Sequence, residues 1–280
     1  MQSPHEPDRR GSSDGRADNH KAFLPFVPAG DPDLATTREL LPAVAAAGAD
    51  LIEVGVPFSD PIADGPVIQA SYTRALANGF KLDNLFDTLK QVTTAPGWQT
   101  PLVAMASYSL IWRRGPDQFL ADAQAAGLSG AVVPDLPAEE ADELAARCRD
   151  RDFKLVLLVT PTTAPDRAER IVRACSGFVY VVSVVGITGE RATISSQVGG
   201  LVARLRGLTD LPLCVGFGVS RPEHVRELAA VADGVIVGTA LVRKLEAAGG
   251  DRGRAVGEAS ALVRELTAAL GAPRAGVSAG

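Results

Sequence analysis

The sequence predicts a single (β/α)₈ barrel. From Ala22 onward, short apolar runs alternate with longer amphipathic segments, and this alternation is typical of repeated strand–helix units that build a parallel sheet. Eight such units fit into the 280 residues of the chain, as this barrel requires. The composition, 46% hydrophobic and 22% charged, indicates a globular protein with one sizeable core.

The predicted strands are short and mostly continuously apolar, as buried parallel strands are. They cover residues 23–27, 51–56, 102–106, 130–133, 154–159, 178–182, 213–215 and 234–237. Between them, Asp33 is a predicted N-cap for a helix over 34–47 and Asp83 for one over 84–92, and Pro137 opens a helix over 138–149. A last helix over 258–270 has one apolar face, which suits packing against the outside of the barrel.

We expect the barrel domain to span residues 21–271. Residues 1–20 are rich in Pro, Ser, Gly, Asp and Arg, which predicts a disordered tail, and 272–280 should form a flexible end. Neither a signal peptide nor an apolar run of roughly 20 residues is evident, so we expect no membrane crossing.

The charge pattern and the cysteines exclude other classes of protein. The net charge is −5 and the basic residues are scattered, whereas nucleic-acid-binding proteins carry a clustered basic face. Cys148, Cys175 and Cys214 are far apart in the sequence, so we expect no disulfide framework, no metal site and a reducing cytoplasm. An open doubly wound sheet is the structural rival, but the turn after the first strand, Pro28-Ala29-Gly30-Asp31-Pro32, has no dinucleotide-binding glycine pattern.

Glycine-bearing turns follow the last three predicted strands and indicate a phosphate site. They are Gly186-Ile187-Thr188-Gly189, Gly216-Phe217-Gly218-Val219-Ser220 and Val237-Gly238-Thr239. Glycine lets backbone amides approach an anion closely, and the start of the following helix adds its positive dipole end. In any one of these turns, the glycines could serve only to form a tight connection between strand and helix. Three such turns after consecutive strands favour a substrate that carries a phosphate.

Two acids point to proton transfer. Glu53 lies inside the apolar strand 51–56, where an unpaired carboxylate is costly unless it has a purpose, an ion pair being the alternative. Asp64 lies in the proline-rich loop that follows, and either acts in catalysis or caps the next helix. Because the only lysine of the predicted strands, Lys154, begins its strand at the wrong end of the barrel, a Schiff-base aldolase is disfavoured.

The stretch Leu51-Ile52-Glu53-Val54-Gly55-Val56-Pro57-Phe58-Ser59-Asp60-Pro61-Ile62-Ala63-Asp64-Gly65-Pro66 closely resembles the signature of tryptophan synthase α subunits. The resemblance extends from about Ala22 to Leu270 and includes the three glycine turns. It implies a phosphate-binding barrel of the ribulose-phosphate-binding type and a lyase that cleaves indole-3-glycerol phosphate to indole and glyceraldehyde 3-phosphate.

The resemblance also implies site residues. Asp64 would engage the indole N–H and Glu53 would shuttle protons. Around the substrate it places Phe26, Tyr180, Thr188, Gly189, Phe217, Gly218, Gly238 and Thr239. The segment 186–200 would be a closing lid whose Thr188 touches the catalytic aspartate.

A β subunit is the partner that the resemblance implies, in an α₂β₂ heterotetramer, with Pro57 and Asp60 at the interface. Indole would pass to that subunit, which makes tryptophan from serine, and pyridoxal phosphate would belong to it, leaving this chain without a cofactor.

The sequence departs from the family in two places. Ser107 and Ser109 replace a tyrosine and an asparagine that are common after the third strand, and Val184 and Val185 replace more polar residues before the lid. Three alternatives stay open: a sugar-phosphate isomerase or epimerase, a regulatory subunit that mainly activates its partner, and a free-standing lyase that releases indole.

Overall fold

The computed structural model describes residues 20–183, 194–216 and 218–271. Within them, parallel strands form one nearly closed barrel surrounded by helices, which confirms the predicted fold class. The strands are β1 Ala22–Pro28, β2 Ile52–Gly55, β3 Leu102–Met105, β4 Leu128–Val132, β5 Lys154–Val156, β6 Leu158–Val159, β7 Val179–Val182, β8 Leu213–Gly216 and β9 Gly234–Val237. The predicted tail lies outside the described residues apart from His20, and the predicted end, 272–280, lies wholly outside them.

The barrel closes within one predicted strand. The run over 154–159 is divided into β5, which pairs with β4, and β6, which pairs with β7. The two halves are the ends of the strand order β5-β4-β3-β2-β1-β9-β8-β7-β6. At the break, the Leu157 N–H donates to Cys175 Sγ at 3.3 Å. The ladder is therefore interrupted there while the backbone donor stays satisfied.

The helices follow the strands as predicted, with shifted boundaries. They are α1 Leu34–Ala46, α2 Pro66–Ala77, α3 Leu82–Thr93, α4 Tyr108–Arg114, α5 Pro116–Ala125, α6 Ala141–Asp150, α7 Pro165–Ala174, α8 Ile194–Arg206, α9 Pro222–Ala229, α10 Thr239–Ala247 and α11 Arg252–Ala268, with a 3₁₀ turn at Ala138–Glu140. α11 packs against α1 and α10 on the outside of the barrel, as expected for the last helix.

Three details of the helix predictions are wrong. Asp83 does not cap α3: Lys81 is the N-cap and Asp83 lies in the first turn, where a carboxylate still favours the helix dipole. Pro137 opens the 3₁₀ turn rather than α6. α11 begins six residues before the predicted 258, because Asp251 caps it through the Arg254 N–H although Gly253 and Gly257 lower its helix propensity.

Alternation along the strands sorts side chains between two layers. Ile52 and Val54 belong to the cluster that packs between sheet and helices, so Glu53 and Gly55 face the barrel interior. The interior cluster includes Phe26, Tyr72 and Tyr180. Among the described residues, no helix is both long and apolar enough to cross a membrane.

Candidate active site

Glu53 is a buried acid in the interior of the barrel. It pairs in register with Phe26 on β1 and Val103 on β3, and it is 2% exposed. Its Oε1 has no hydrogen-bond partner within the described part of the chain. Burial, and secondarily the charge of Asp64, raises the pKa of Glu53 to about 8. A carboxyl group with this pKa carries a proton at neutral pH and can release it.

Asp64 lies at the mouth of the barrel, on the loop between β2 and α2. Burial, and secondarily the charge of Asp135, raises the pKa of Asp64 to about 6. Gln69 holds this loop, since its Nε2 donates to the Asp64 backbone oxygen at 2.8 Å. Gly65, not Asp64, is the N-cap of α2, and no side chain caps that helix. The carboxylate of Asp64 is therefore not used as a helix cap.

Two glycines make room for the aromatic side chains of the interior. A Cβ atom on Gly55 would lie 2.6 Å from Phe26 Cε2 and 2.6 Å from the Tyr72 hydroxyl oxygen. A Cβ on Gly216 would lie 2.5 Å from the Tyr180 hydroxyl oxygen. These approaches are closer than real Cβ contacts. The missing side chains thus admit Phe26, Tyr72 and Tyr180 toward the carboxyl ends of β2 and β8.

The glycine turns after β8 and β9 lie at the same end of the barrel. Gly218 has a φ of 77°, a left-handed conformation that favours glycine. Gly238 is the N-cap of α10, and Thr239 is the first residue of that helix. The first N–H groups of α10 therefore start at the barrel mouth, where an anion is favoured. Thr188, Gly189, Phe217 and the lid segment before 194 lie outside the described residues.

An open cleft lies beside Asp64. Its lining includes Tyr72, Ser107 and Asp135. Asp135 accepts hydrogen bonds from Ser107 Oγ at 2.5 Å and from the Tyr108 N–H at 2.7 Å. Sequence reasoning missed Tyr72, which resembles a core position of α2. It also missed Asp135, although an acid shortly after a strand could have signalled this edge of the sheet.

The loop of the predicted partner interface is only partly exposed. Pro57 is buried in the isolated chain, whereas Asp60 is exposed. Ile62, between the two acids of the loop, is 86% exposed, and Trp112 on α4 is 64% exposed.

Among the residues that the structure describes, no group of three or more His, Cys, Asp or Glu could hold a metal ion.

Comparison with known proteins decides the family. The sequence profile of the tryptophan synthase alpha chain matches residues 13–271. This chain belongs to the tryptophan synthase alpha chain family. The tryptophan synthase alpha chain of Rhodopirellula baltica is 52% identical over 231 residues, which are 82% of this chain and 83% of the relative.

Solved structures agree with this family. Tryptophan synthase subunit alpha from Legionella pneumophila superposes with a TM-score of 0.83 at 32% identity, covering 91% of this chain and 94% of that one. The tryptophan synthase A-subunit from Pyrococcus furiosus superposes with a TM-score of 0.79 at 40% identity, covering 88% and 98%. The chain is therefore an enzyme of tryptophan biosynthesis, and tryptophan synthase alpha chains function with a beta subunit.

Proposed function

We propose that this chain is a lyase that cleaves indole-3-glycerol phosphate to indole and glyceraldehyde 3-phosphate, with Glu53 and Asp64 as its catalytic acids. The observation that carries the proposal is the buried Glu53, whose Oε1 lacks a partner among the described residues and whose pKa is raised to about 8. Such an acid is poised for proton transfer at neutral pH.

The two pKa values assign different roles. At pH 7, Glu53 carries a proton and Asp64 is mostly ionised. Glu53 gives its proton to indole C3 while the Asp64 carboxylate accepts a hydrogen bond from the indole N–H, which stays on the ring; this favours the C3-protonated, indolenine form. Glu53 then takes the proton of the glycerol hydroxyl next to the ring. The C–C bond breaks, its electron pair restores the indole ring, and the hydroxyl carbon becomes the aldehyde.

Phosphate would be bound by the turns after β8 and β9. Gly218, Gly238 and Thr239 supply backbone amides and a hydroxyl there, and Gly189 and Thr188 are assigned to the same site by resemblance. Phe26 and Tyr180 lie in the barrel interior near Glu53 and would flank the indole. Phe217 is assigned to the opposite wall by resemblance.

We further propose an α₂β₂ heterotetramer in the cytoplasm, to whose β subunit indole passes. The exposed Asp60 and Ile62 on the loop beside the cleft support a partner surface there. The buried Pro57 at the start of this loop would restrict its backbone conformation. Free, buried Cys148, Cys175 and Cys214 are in keeping with a reducing compartment. The acid–base steps above need no cofactor in this chain, and pyridoxal phosphate would belong to the β subunit.

Indole release from indole-3-glycerol phosphate tests the proposal. The purified chain should show weak activity alone and strong stimulation by a β subunit. Glu53→Gln and Asp64→Asn should abolish cleavage with the fold retained, while Glu265→Gln, an exposed acid on α11, serves as the matched control. Strong activity without stimulation would indicate a free-standing lyase, and no cleavage under either condition would refute the reaction.

A further inference from the structure

Tyr72 is a buried phenol on a helix outside the sheet, and its hydroxyl lies beside Gly55 of β2. It lies on α2, is 2% exposed and belongs to the interior cluster. Its hydroxyl oxygen occupies the space that a side chain on Gly55 would fill, 2.6 Å from that Cβ position. Gly55 follows Glu53 by two residues, so both positions face the same side of β2. The phenol therefore lies one side-chain position beyond Glu53 on the interior face.

The helix that carries Tyr72 also holds the loop of Asp64. Gln69, one turn earlier on α2, donates to the backbone oxygen of Asp64 at 2.8 Å and to that of Pro61 at 3.3 Å. Tyr72 and Asp64 line the same cleft. One short stretch of helix thus fixes the phenol and the second catalytic acid relative to each other.

The phenol stays protonated beside these acids. Burial, followed by the charges of Asp64 and Glu53, raises the pKa of Tyr72 well above its usual value. Its hydroxyl is consequently a hydrogen-bond donor throughout the working pH range. Glu53 Oε1 is buried and has no hydrogen-bond partner among the described residues. Once Glu53 has released its proton, its carboxylate is therefore the acceptor that a hydrogen bond from Tyr72 would stabilise most.

We propose that Tyr72 is a positioning residue of the active site, whose phenolic O–H donates to the Glu53 carboxylate after Glu53 has given its proton to the substrate. The inference rests on the proposed function. Other groups facing Glu53 are Asp64 from the loop, Tyr180 from β7 and Cys214 from β8. Tyr180 fills the space at Gly216 on the other side of the barrel, whereas Tyr72 occupies the face of β2 itself.

The sign of the effect follows from the hydrogen bond. A donor to the ionised form lowers the pKa of an acid, so Tyr72→Phe should raise the pKa of Glu53 by about one pH unit. The alkaline limb of kcat/KM should move upward with it. In the same variant, kcat should fall roughly tenfold with little change in KM, because the bond forms only after proton release.

Two measurements on the full-length chain test this proposal. Carboxyl ¹³C NMR titrations of wild type and Tyr72→Phe, with the Glu53 signal assigned from Glu53→Gln, report the acid without catalysis. The pH profile of indole release is measured in parallel with a β subunit. Tyr108→Phe is the matched control, because this half-buried phenol lies on α4 beside Glu143 and Glu140, and it should behave as wild type.

An upward shift of the Glu53 titration in Tyr72→Phe, absent in Tyr108→Phe, supports the proposal even if wild type fails to cleave the substrate. An unshifted titration overturns it, whatever happens to activity, because loss of packing alone lowers activity and melting temperature without moving the Glu53 pKa. Wild-type inactivity with a β subunit present would instead count against the proposed reaction.

Discussion

Gly55→Ala should disrupt the active site through a single methyl group. The new Cβ would lie 2.6 Å from Phe26 Cε2 and 2.6 Å from the Tyr72 hydroxyl oxygen, so both rings would have to retreat by roughly 1 Å to reach ordinary contact distance. Overpacking of this kind costs about 1–3 kcal/mol of stability. A displacement of about 1 Å near reacting groups can cost roughly 100-fold in rate.

Indole release with excess β subunit and thermal unfolding measure the two effects. We expect kcat/KM to fall by roughly 100-fold and the melting temperature by about 2–10 °C. Gly257→Ala is the control: nothing lies within 4 Å of its Cβ position, and alanine in the interior of α11 should stabilise the fold by roughly 0.5–1 kcal/mol. Wild-type activity and melting temperature in Gly55→Ala would refute the argument that this face of β2 is filled.

Three further predictions follow from charge. Folded Glu53 keeps its proton until about pH 8, whereas the unfolded chain releases it near 4.5. The free energy of unfolding of the wild type therefore falls as pH rises through this window. In denaturant titrations, Glu53→Gln should be more stable than wild type by roughly 2–4 kcal/mol at pH 8, and this difference should close toward pH 5. Asp135→Asn should lower the pKa of Asp64 and move the acidic limb of kcat/KM downward; an unmoved limb would contradict it. Arg74 binds the buried Asp31 through two nitrogens, at 3.0 and 2.7 Å. Arg74→Gln should therefore lower the stability measured by thermal unfolding by roughly 2–4 kcal/mol. Adding Asp31→Asn to that variant should restore part of the lost stability, because it removes the unpaired buried charge.

Much of the fold could be predicted because strand and helix periods are local. Each of the eight predicted strand regions overlaps an observed strand, since continuous apolar runs have few other ways to be buried. The division at Leu157 could not be predicted, because the Cys175 thiol that receives its N–H lies 18 residues away. Capping by Asp83 was wrong for a local reason: α3 starts two residues earlier than its apolar pattern suggests.

The two proposed catalytic acids, Glu53 and Asp64, could be found from the sequence for a different reason. A carboxyl group in an apolar strand is unusual, so Glu53 attracted attention by itself, and Asp64 lay in a long loop on the predicted catalytic face. Tyr72 gave no such signal, because a tyrosine at helical spacing from Ile68 is compatible with an ordinary core face. Only the three-dimensional approach of its hydroxyl to Gly55 distinguishes it.

The break at Leu157 also bears on how the protein avoids aggregation. A sheet usually ends in two edge strands whose free N–H and C=O groups can recruit another chain. In the described part of this barrel, the two ends of the strand order are β5 and β6, adjacent pieces of one strand separated by a single residue. Neither end therefore presents a long unpaired edge to another chain.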